Sequence, residues 1–528
     1  MKPGAWIPVS SATEINGPTP AKNGAVLGRC HGGHSVEFGP LAFEDGLVDR
    51  VEIRIASPGR GGQISLHLGD QEQVAQVPIP NTGGYGKWAV VVADSEQLAG
   101  THPLILKFHG GQHLANISAV RFLKPHQKGT ENAIRPDPLQ WGKELEKTLQ
   151  GLVERHRPAI ETHRTAPITV SAPPGATVRI RQQRHHFEFG TAINRNAFGT
   201  GKKKFAPTVQ DRYKQMLLEN FNAVVPEGAM KWHNIEPEQG QTNYDNADAI
   251  VEWAIENDLF IRGHCIYWGR DRLVPDWQKN LDDDALRRAI AERARDYMTR
   301  FRGKVTEHDM NNEMTHCHYY ANRLGREIRL QMFKWCQQAD PDARLYVNDY
   351  NIISGGGTNR YVRQIKQFLE AGAPVGGIGV QGHFGGKVNG PAVKAKLDRL
   401  AQFNLPIKIT EYDANTADPN ARTLALVTLY TTAFAHPAVD GIYMWGFWRG
   451  QHWRPRAAIW NKDWTPTSAA NWYRKLVFEE WWTDQTLTVP DDGIIRTRVF
   501  FGRHELTVDD KSKMIEVRPD GETAFEAP

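Results

Sequence analysis

Two glutamates define the chemistry open to this chain. Glu313 closes the run Val305-Thr-Glu-His-Asp-Met-Asn-Asn-Glu313, and Glu411 closes Pro406-Ile-Lys-Ile-Thr-Glu411. Each stretch reads as a short buried strand, so each carboxylate is expected at a strand end. Two carboxyl groups facing each other, one kept protonated and one ionised, are what cleavage of a glycosidic bond with retention requires, at a separation of about 5–5.5 Å. Environment divides the labour: burial raises a carboxyl pKa, while hydrogen bonds and cations lower it. One strand-end Glu alone is more simply a salt bridge or a cap. The pair carries the weight.

The elements around them fit a barrel. From Phe187 onward, strand-like and amphipathic segments alternate. Eight strand-like runs stand out: Phe187–Ile193, Phe221–Val225, Phe260–Ile266, Val305–Met310, Arg344–Asn348, Gly377–Gln381, Ile407–Thr410 and Gly441–Trp445. Helical spacing marks Asp283–Phe301 and Thr358–Glu370 between them. This pattern predicts a (β/α)₈ TIM barrel, in which chemistry sits at the C-terminal ends of strands. Upstream, Val51-Glu-Ile-Arg-Ile-Ala and Gln63-Ile-Ser-Leu-His-Leu alternate apolar and polar residues between Gly-rich turns. They predict an all-β sandwich. The expected organisation is a sandwich over 1–125, a linker with a helix over 126–165 (Leu139, Trp141, Leu145, Leu149 and Leu152 at helical spacing), a barrel over 166–483 and a small β extension over 484–528.

Bulk properties exclude other classes. The 528 residues are too many for one ordinary domain. Sixty-four Lys and Arg against 60 Asp and Glu give a formal charge of +4, with no basic tract, so nucleic-acid binding has little support. Sixteen Trp suit stacking on flat ligand faces, although most belong in cores. Cys30, Cys265, Cys317 and Cys336 lie far apart, without the spacing of a disulfide scaffold or zinc site. His316-Cys317-His318 looks metal-like, but adjacent residues rarely aim at one ion. No apolar run is long enough to span a membrane. The opening Met1-Lys-Pro-Gly-Ala-Trp lacks the apolar core of a signal peptide.

From about Ala166 to Trp482 the motifs resemble glycoside hydrolase family 10, the endo-β-1,4-xylanases, and most nearly its plant-type branch. Glu227-Gly-Ala-Met-Lys231-Trp232 resembles the family's Glu-Asn-x-Met-Lys-Trp, and Arg262-Gly-His264-Cys-Ile-Tyr-Trp268 its Arg-Gly-His…Trp strand. Asp309-Met-Asn-Asn312-Glu313 resembles the acid/base segment, Asn348-Asp349-Tyr350-Asn351 the Asn-Asp-Tyr-Asn motif, and Gly379-Val-Gln381-Gly-His383 the Gly-x-Gln-x-His motif. Thr410-Glu411-Tyr-Asp413 resembles the nucleophile segment, and Trp445-Gly-Phe-Trp448 the eighth-strand Trp-Gly. The resemblance implies Glu313 as general acid and then base, and Glu411 as nucleophile. It implies His383 and Asp413 as support for Glu411, and Asn312 on the sugar 2-hydroxyl. Glu227, Lys231, His264 and Gln381 would bind substrate, while Trp268, Trp445 and Trp453 stack on sugar faces. Gly228 and Gly269 depart from the family's Asn and His, leaving expected room for a substituted chain.

Val51–Ala56, Gly61-Gly-Gln-Ile and Val77-Pro-Ile-Pro-Asn-Thr-Gly-Gly-Tyr85-Gly-Lys-Trp88 are similar to carbohydrate-binding modules of family 6. That likeness implies Tyr85 and Trp88 as sugar-contacting residues. It also implies a structural calcium, for which no clear acidic cluster is seen; otherwise no metal or organic cofactor is expected. The sandwich as a mere brace is the alternative. Taken together, the expectation is a monomeric xylanase, secreted or periplasmic, acting on xylan or a related plant cell-wall polysaccharide, without nucleic-acid or membrane partners. The rivals are a hydrolase of a different or heavily substituted β-linked glycan, and a non-catalytic carbohydrate-binding protein.

Overall fold

The structure is a computed structural model. It describes residues 4–59, 62–69, 72–124, 127–134, 138–199, 204–416, 418–509 and 511–528, with the backbone alone for 44–47, 49, 72, 96, 97, 99 and 138–144. Met1, Lys2 and Pro3 of the opening run and Gly61 of the sandwich motif lie outside the described residues, as do the side chains of Leu139 and Trp141. The chain divides into two compact units, Met1–Leu152 with Thr416–Ala425, and Val153–Asn415 with Leu426–Pro528.

In the first unit the antiparallel strands run in the order Thr19–Ala21, Val26–Cys30, Ala115–Leu123, Ser35–Ala56, Ala89–His109, Gln63–Leu68, Glu72–Pro78. The two long strands, Ser35–Ala56 and Ala89–His109, pair along most of their length and shift register repeatedly between Phe38 and Arg50. Such irregularities bend strands, so one pair can serve both layers of a sandwich. The enclosed core includes Phe38, Ile53, Leu66, Leu106, Phe108 and Phe122.

The second unit holds the barrel. Its strands are β1 (Glu188–Ile193), β2 (Ala223–Pro226), β3 (Phe260–Gly263), β4 (Glu307–Asn312), β5 (Arg344–Asp349), β6 (Val375–Val380), β7 (Ile407–Ala414) and β8 (Val439–Met444). All neighbours are parallel, in the order β3-β2-β1-β8-β7-β6-β5-β4, and pairing of Arg262 with Glu307 and Gly263 with His308 closes the ring. Strands covered on both faces need apolar or internally paired residues throughout; every residue of β4 and β7 is buried. Covering helices form where the pattern predicts. In Asp283–Phe301 the Asp282 side chain caps Ala285 N at 2.7 Å, and Leu286, Ile290, Ala294, Tyr297, Met298 and Phe301 make the buried stripe. No helix among the described residues is long and apolar enough to cross a membrane.

The boundaries drawn at 166 and 484 need correction. Thr165–Ser171 pairs with Ile494–Phe500 and Ala524–Glu526, while Thr177–His185 pairs with Asp484–Thr488 and Gly502–Val508. Residues 165–185 therefore belong to one small β body with the C-terminal strands, around Ile168, Val170, Val178, Ile180, Val499 and Leu506. The physical reason lies in the pattern. Thr177–His185 alternates exposed and buried positions, the mark of a strand covered on one face, whereas β4 and β7 are buried at every residue. The helix expected in the linker runs Pro138–Arg164.

Candidate active site

Glu313 is placed by β4 and the turn that ends it. A register shift between Asp309 and Asn311 opposite Tyr346 and Val347 bulges the strand, and bulges re-aim side chains. Glu313 then takes φ +60°, a left-handed conformation rarely held by a residue with a side chain unless its surroundings enforce it. Its N–H donates to Asn348 O at 2.8 Å, and its carbonyl accepts from Cys317 N at 2.7 Å. Asp349 pins the loop beyond, accepting Thr315 N at 2.7 Å and His316 Nδ1 at 2.7 Å. The Glu313 carboxyl, 7 % exposed, receives Trp268 Nε1 at 3.0 Å and Cys317 Sγ at 3.5 Å on Oε2, and Gln381 Nε2 at 3.3 Å on Oε1. Burial and the nearby charge of Glu411 outweigh these donors and raise its pKa above the ordinary carboxylate value.

Glu411 sits in β7, where the register with β8 slips between Ile409 and Tyr412. Its Oε1 accepts Asn348 Nδ2 at 3.0 Å, and its Oε2 lies 3.2 Å from His383 Nε2. His383 Nδ1 meets Asp413 Oδ2 at 2.9 Å, and Asp413 is held by Trp453 Nε1 at 3.0 Å and Arg454 Nη1 at 3.0 Å. Burial pulls the His383 pKa down, but its bonds and proximity to Asp413 and Glu411 win and push it up to about 9. Near neutral pH the imidazolium therefore donates from both nitrogens. Asn348 links the two carboxylates' neighbourhoods. Its Oδ1 accepts Thr410 Oγ1 at 2.6 Å, so its Nδ2 is turned to Glu411 and to Asn312 Oδ1 at 2.9 Å. With its oxygen engaged there, Asn312 is left with Nδ2 to donate into the cavity it lines.

One cavity of about 840 Å³ collects Glu227, Lys231, His264, Trp268, Asn312, Glu313, Gln381, His383, Glu411, Trp445 and Trp453, with Asp413 behind His383. Lys231 Nζ lies 4.8 Å from the Trp268 ring and 5.8 Å from Trp445. Glu227 Oε2 accepts Asn194 Nδ2 at 2.7 Å, and buried Asp309 positions His264 Nδ1 at 2.8 Å and pairs with Arg262. Trp453 is 48 % exposed, with its ring against His383. Sequence reasoning assigned no role to Asn348, although its motif was visible. It also missed Arg195, Arg270, Arg272 and Arg454 on the cavity wall, which lie in loops without a pattern of their own.

The two glycines differ. A side chain at Gly228 would meet only Asn234 Nδ2, at an ordinary 3.4 Å, and Gly228 borders the cavity. At Gly269 the space is taken: a Cβ would lie 3.2 Å from Tyr320 Cδ2 and 3.5 Å from Tyr319 N. The start of the helix Tyr319–Leu324 fills that room, so of the two glycines only Gly228 leaves space.

In the sandwich, Tyr85 is 36 % exposed, with its hydroxyl donating to His113 O and its carbonyl accepting Asn116 Nδ2 at 3.0 Å. Trp88 is half-buried, 5.9 Å from the Arg54 guanidinium. Buried Glu52 is engaged by Arg121 at 2.8 Å and Thr130 at 2.7 Å. Among the described residues no three His, Cys, Asp or Glu side chains are grouped to hold a metal. In the His316–His318 run each side chain serves another partner: Asp349 and Arg360 for His316, Glu313 for Cys317, and Arg329 for His318. All four cysteines are free.

Comparison with known proteins places this arrangement. The family model "Glycosyl hydrolase family 10" matches residues 180–476, and "Carbohydrate binding module (family 6)" matches residues 9–124. The chain is 38 % identical over 325 residues to the anti-sigma-I factor RsgI6 of Acetivibrio thermocellus, covering 61 % of this chain and 41 % of that protein. It is 40 % identical over 278 residues to endo-1,4-beta-xylanase 1 of Arabidopsis thaliana, covering 52 % of this chain and 28 % of that protein. The chain thus spans less than half the length of these relatives. The crystal structure of native xylanase 10B from Thermotoga maritima superposes with a TM-score of 0.51 at 26 % identity, over 55 % of this chain and 95 % of that one.

Proposed function

This chain belongs to glycosyl hydrolase family 10, and on that premise we propose that it cleaves internal β-1,4-xylosidic bonds of xylan by double displacement, with net retention. The observation that carries the reading is the opposed environment of two buried carboxyl groups. Burial and Glu411 raise the Glu313 pKa and so favour its acid form, while Glu411 is held by a protonated His383 and by Asn348. The name of the Arabidopsis relative adds xylan as substrate.

In the first step Glu313 protonates the leaving glycosidic oxygen while Glu411 attacks the anomeric carbon and forms an ester with the sugar. Departure of the first product leaves Glu313 as a carboxylate, which takes a proton from water. That water then displaces Glu411 from the anomeric carbon, restoring both groups. Asn312 Nδ2 is placed to hold a sugar hydroxyl, while Trp268 and Trp445 offer flat faces. All of these groups come from one chain, which suits a monomer. The substrate would place the protein outside the cell. The sandwich would hold it on the polymer, with Tyr85 as the exposed contact.

The test is release of reducing sugar from a panel of β-glucans, mannans and xylans by the native chain and by Glu411→Ala. The expected result is xylan cleavage that falls by several orders of magnitude in the variant. An unaltered rate removes Glu411 from the mechanism. A second reading, polysaccharide binding without turnover, is supported by the match to a carbohydrate binding module; it predicts binding but no sugar release from the native chain.

A further inference from the structure

The cavity wall carries cations that the reaction does not use. Arg195 lies in the turn after β1, Gly228 and Lys231 follow β2, and Arg272 follows β3, so three adjacent strand-end loops bring them to one flank. The reacting pair stands on β4 and β7. Neither Arg195 nor Arg272 has a carboxylate within ion-pair distance among the described residues. The carboxylates that border the cavity are engaged elsewhere, Glu227 with Asn194 and Glu411 with His383, while Glu313 is the acid. His233 lies beside these cations and borders, with Arg272, an adjoining recess; Asp276 at the recess rim is already paired with Lys279 at 2.7 Å. Burial first, then Lys231 and Arg195, drive the His233 pKa down to about 4, as a local positive field requires. Beside this patch is the room left by Gly228.

A neutral sugar backbone has no group that would call for two unmatched guanidinium ions. A carboxylate does, because the Arg fork matches it with two parallel hydrogen bonds. We propose that this flank binds an acidic branch on the substrate, a uronic acid attached to the xylan backbone, with Arg195 and Arg272 as its charge partners and the space beside Gly228 taking its ring. The proposal rests on the hydrolase reading and narrows its substrate to chains bearing carboxylate branches.

The test uses the full chain carrying Glu313→Gln, which binds without cutting. Its affinity is measured calorimetrically for a xylo-oligosaccharide with one uronic acid branch, and for the same oligosaccharide with that carboxyl reduced to an alcohol. The acidic form is expected to bind about tenfold more tightly at low salt, an advantage that shrinks as sodium chloride is added. Adding Arg195→Gln and Arg272→Gln should bring the ratio of the two affinities to about one, while Arg195→Lys with Arg272→Lys should keep most of the preference. Using the ratio removes any general loss of folded protein. Equal affinities before the arginines are changed, or a preference that survives their loss to Gln, overturns the proposal alone. Failure of the native chain to cut either oligosaccharide overturns the hydrolase reading, and the proposal with it.

Discussion

Replacing Trp268 by Phe probes how the acid is tuned. The indole N–H donates to Glu313 Oε2 at 3.0 Å, a bond that favours the carboxylate over the acid and so opposes burial and Glu411. Phe keeps a flat ring but removes the donor. A hydrogen bond to a charged group is worth about 1.5–3 kcal/mol, and about 1.36 kcal/mol corresponds to one pKa unit. Cys317 Sγ, 3.5 Å from the same oxygen, and entering water recover part of that. The Glu313 pKa should therefore rise by about one unit. The assay is kcat/KM against pH on a linear xylo-oligosaccharide, which reports groups of the free enzyme. The acid must be protonated to work, so a higher pKa moves the alkaline limb to higher pH and leaves the acidic limb in place. Loss of stacking lowers the whole curve without moving its limbs. An alkaline limb that stays fixed or moves down would refute the assignment of Glu313 as the tuned acid.

Three further outcomes are expected. Lys408 is fully buried and pairs with Glu188 Oε2 at 2.5 Å and with Glu307, so Lys408→Met leaves carboxylates stranded inside the barrel. It should cost about 3–5 kcal/mol in urea unfolding, and an unchanged midpoint would show that the cluster is not held by that cation. Glu313→Gln should melt higher than the native chain near pH 7, with the gap closing near pH 4: a carboxyl whose folded pKa exceeds its unfolded one loses stability as pH rises through that value, and an amide cannot ionise. A gap independent of pH contradicts the raised pKa. Tyr85→Ala should weaken retention on insoluble xylan severalfold in a depletion assay, since a stacked aromatic contact is lost; equal retention assigns sugar contact elsewhere.

The barrel was legible because short strand-like runs alternate with amphipathic segments and end in polar clusters, as in Ile407-Lys-Ile-Thr-Glu411. The two carboxylates and the residues beside them stood out for the same reason, since a strand end fixes where a side chain emerges. Residues 165–185 were misplaced because strand patterns report burial of a face and not which distant strand covers it; their partners lie some 300 positions later, as with Thr165 opposite Phe500. The space at Gly269 is filled by Tyr319 and Tyr320 at the start of the helix Tyr319–Leu324, and nothing in residue type specifies where that helix packs. The arginines of the cavity wall escaped notice because a charged residue in a loop looks the same whether it faces water or ligand.

The small β body has a practical bearing. It is stitched from a segment that precedes the barrel and one that follows it, so the two ends of the catalytic fold are zipped together by backbone hydrogen bonds. Ending the gene at Trp482 while keeping residues 165–185 would strip Val170, Val178 and Ile180 of their cover and leave unpaired ladder edges facing solvent. A fragment beginning at Thr165 and stopping at Trp482 should aggregate, whereas one running from the Pro138–Arg164 helix through Ala527 retains its fastening.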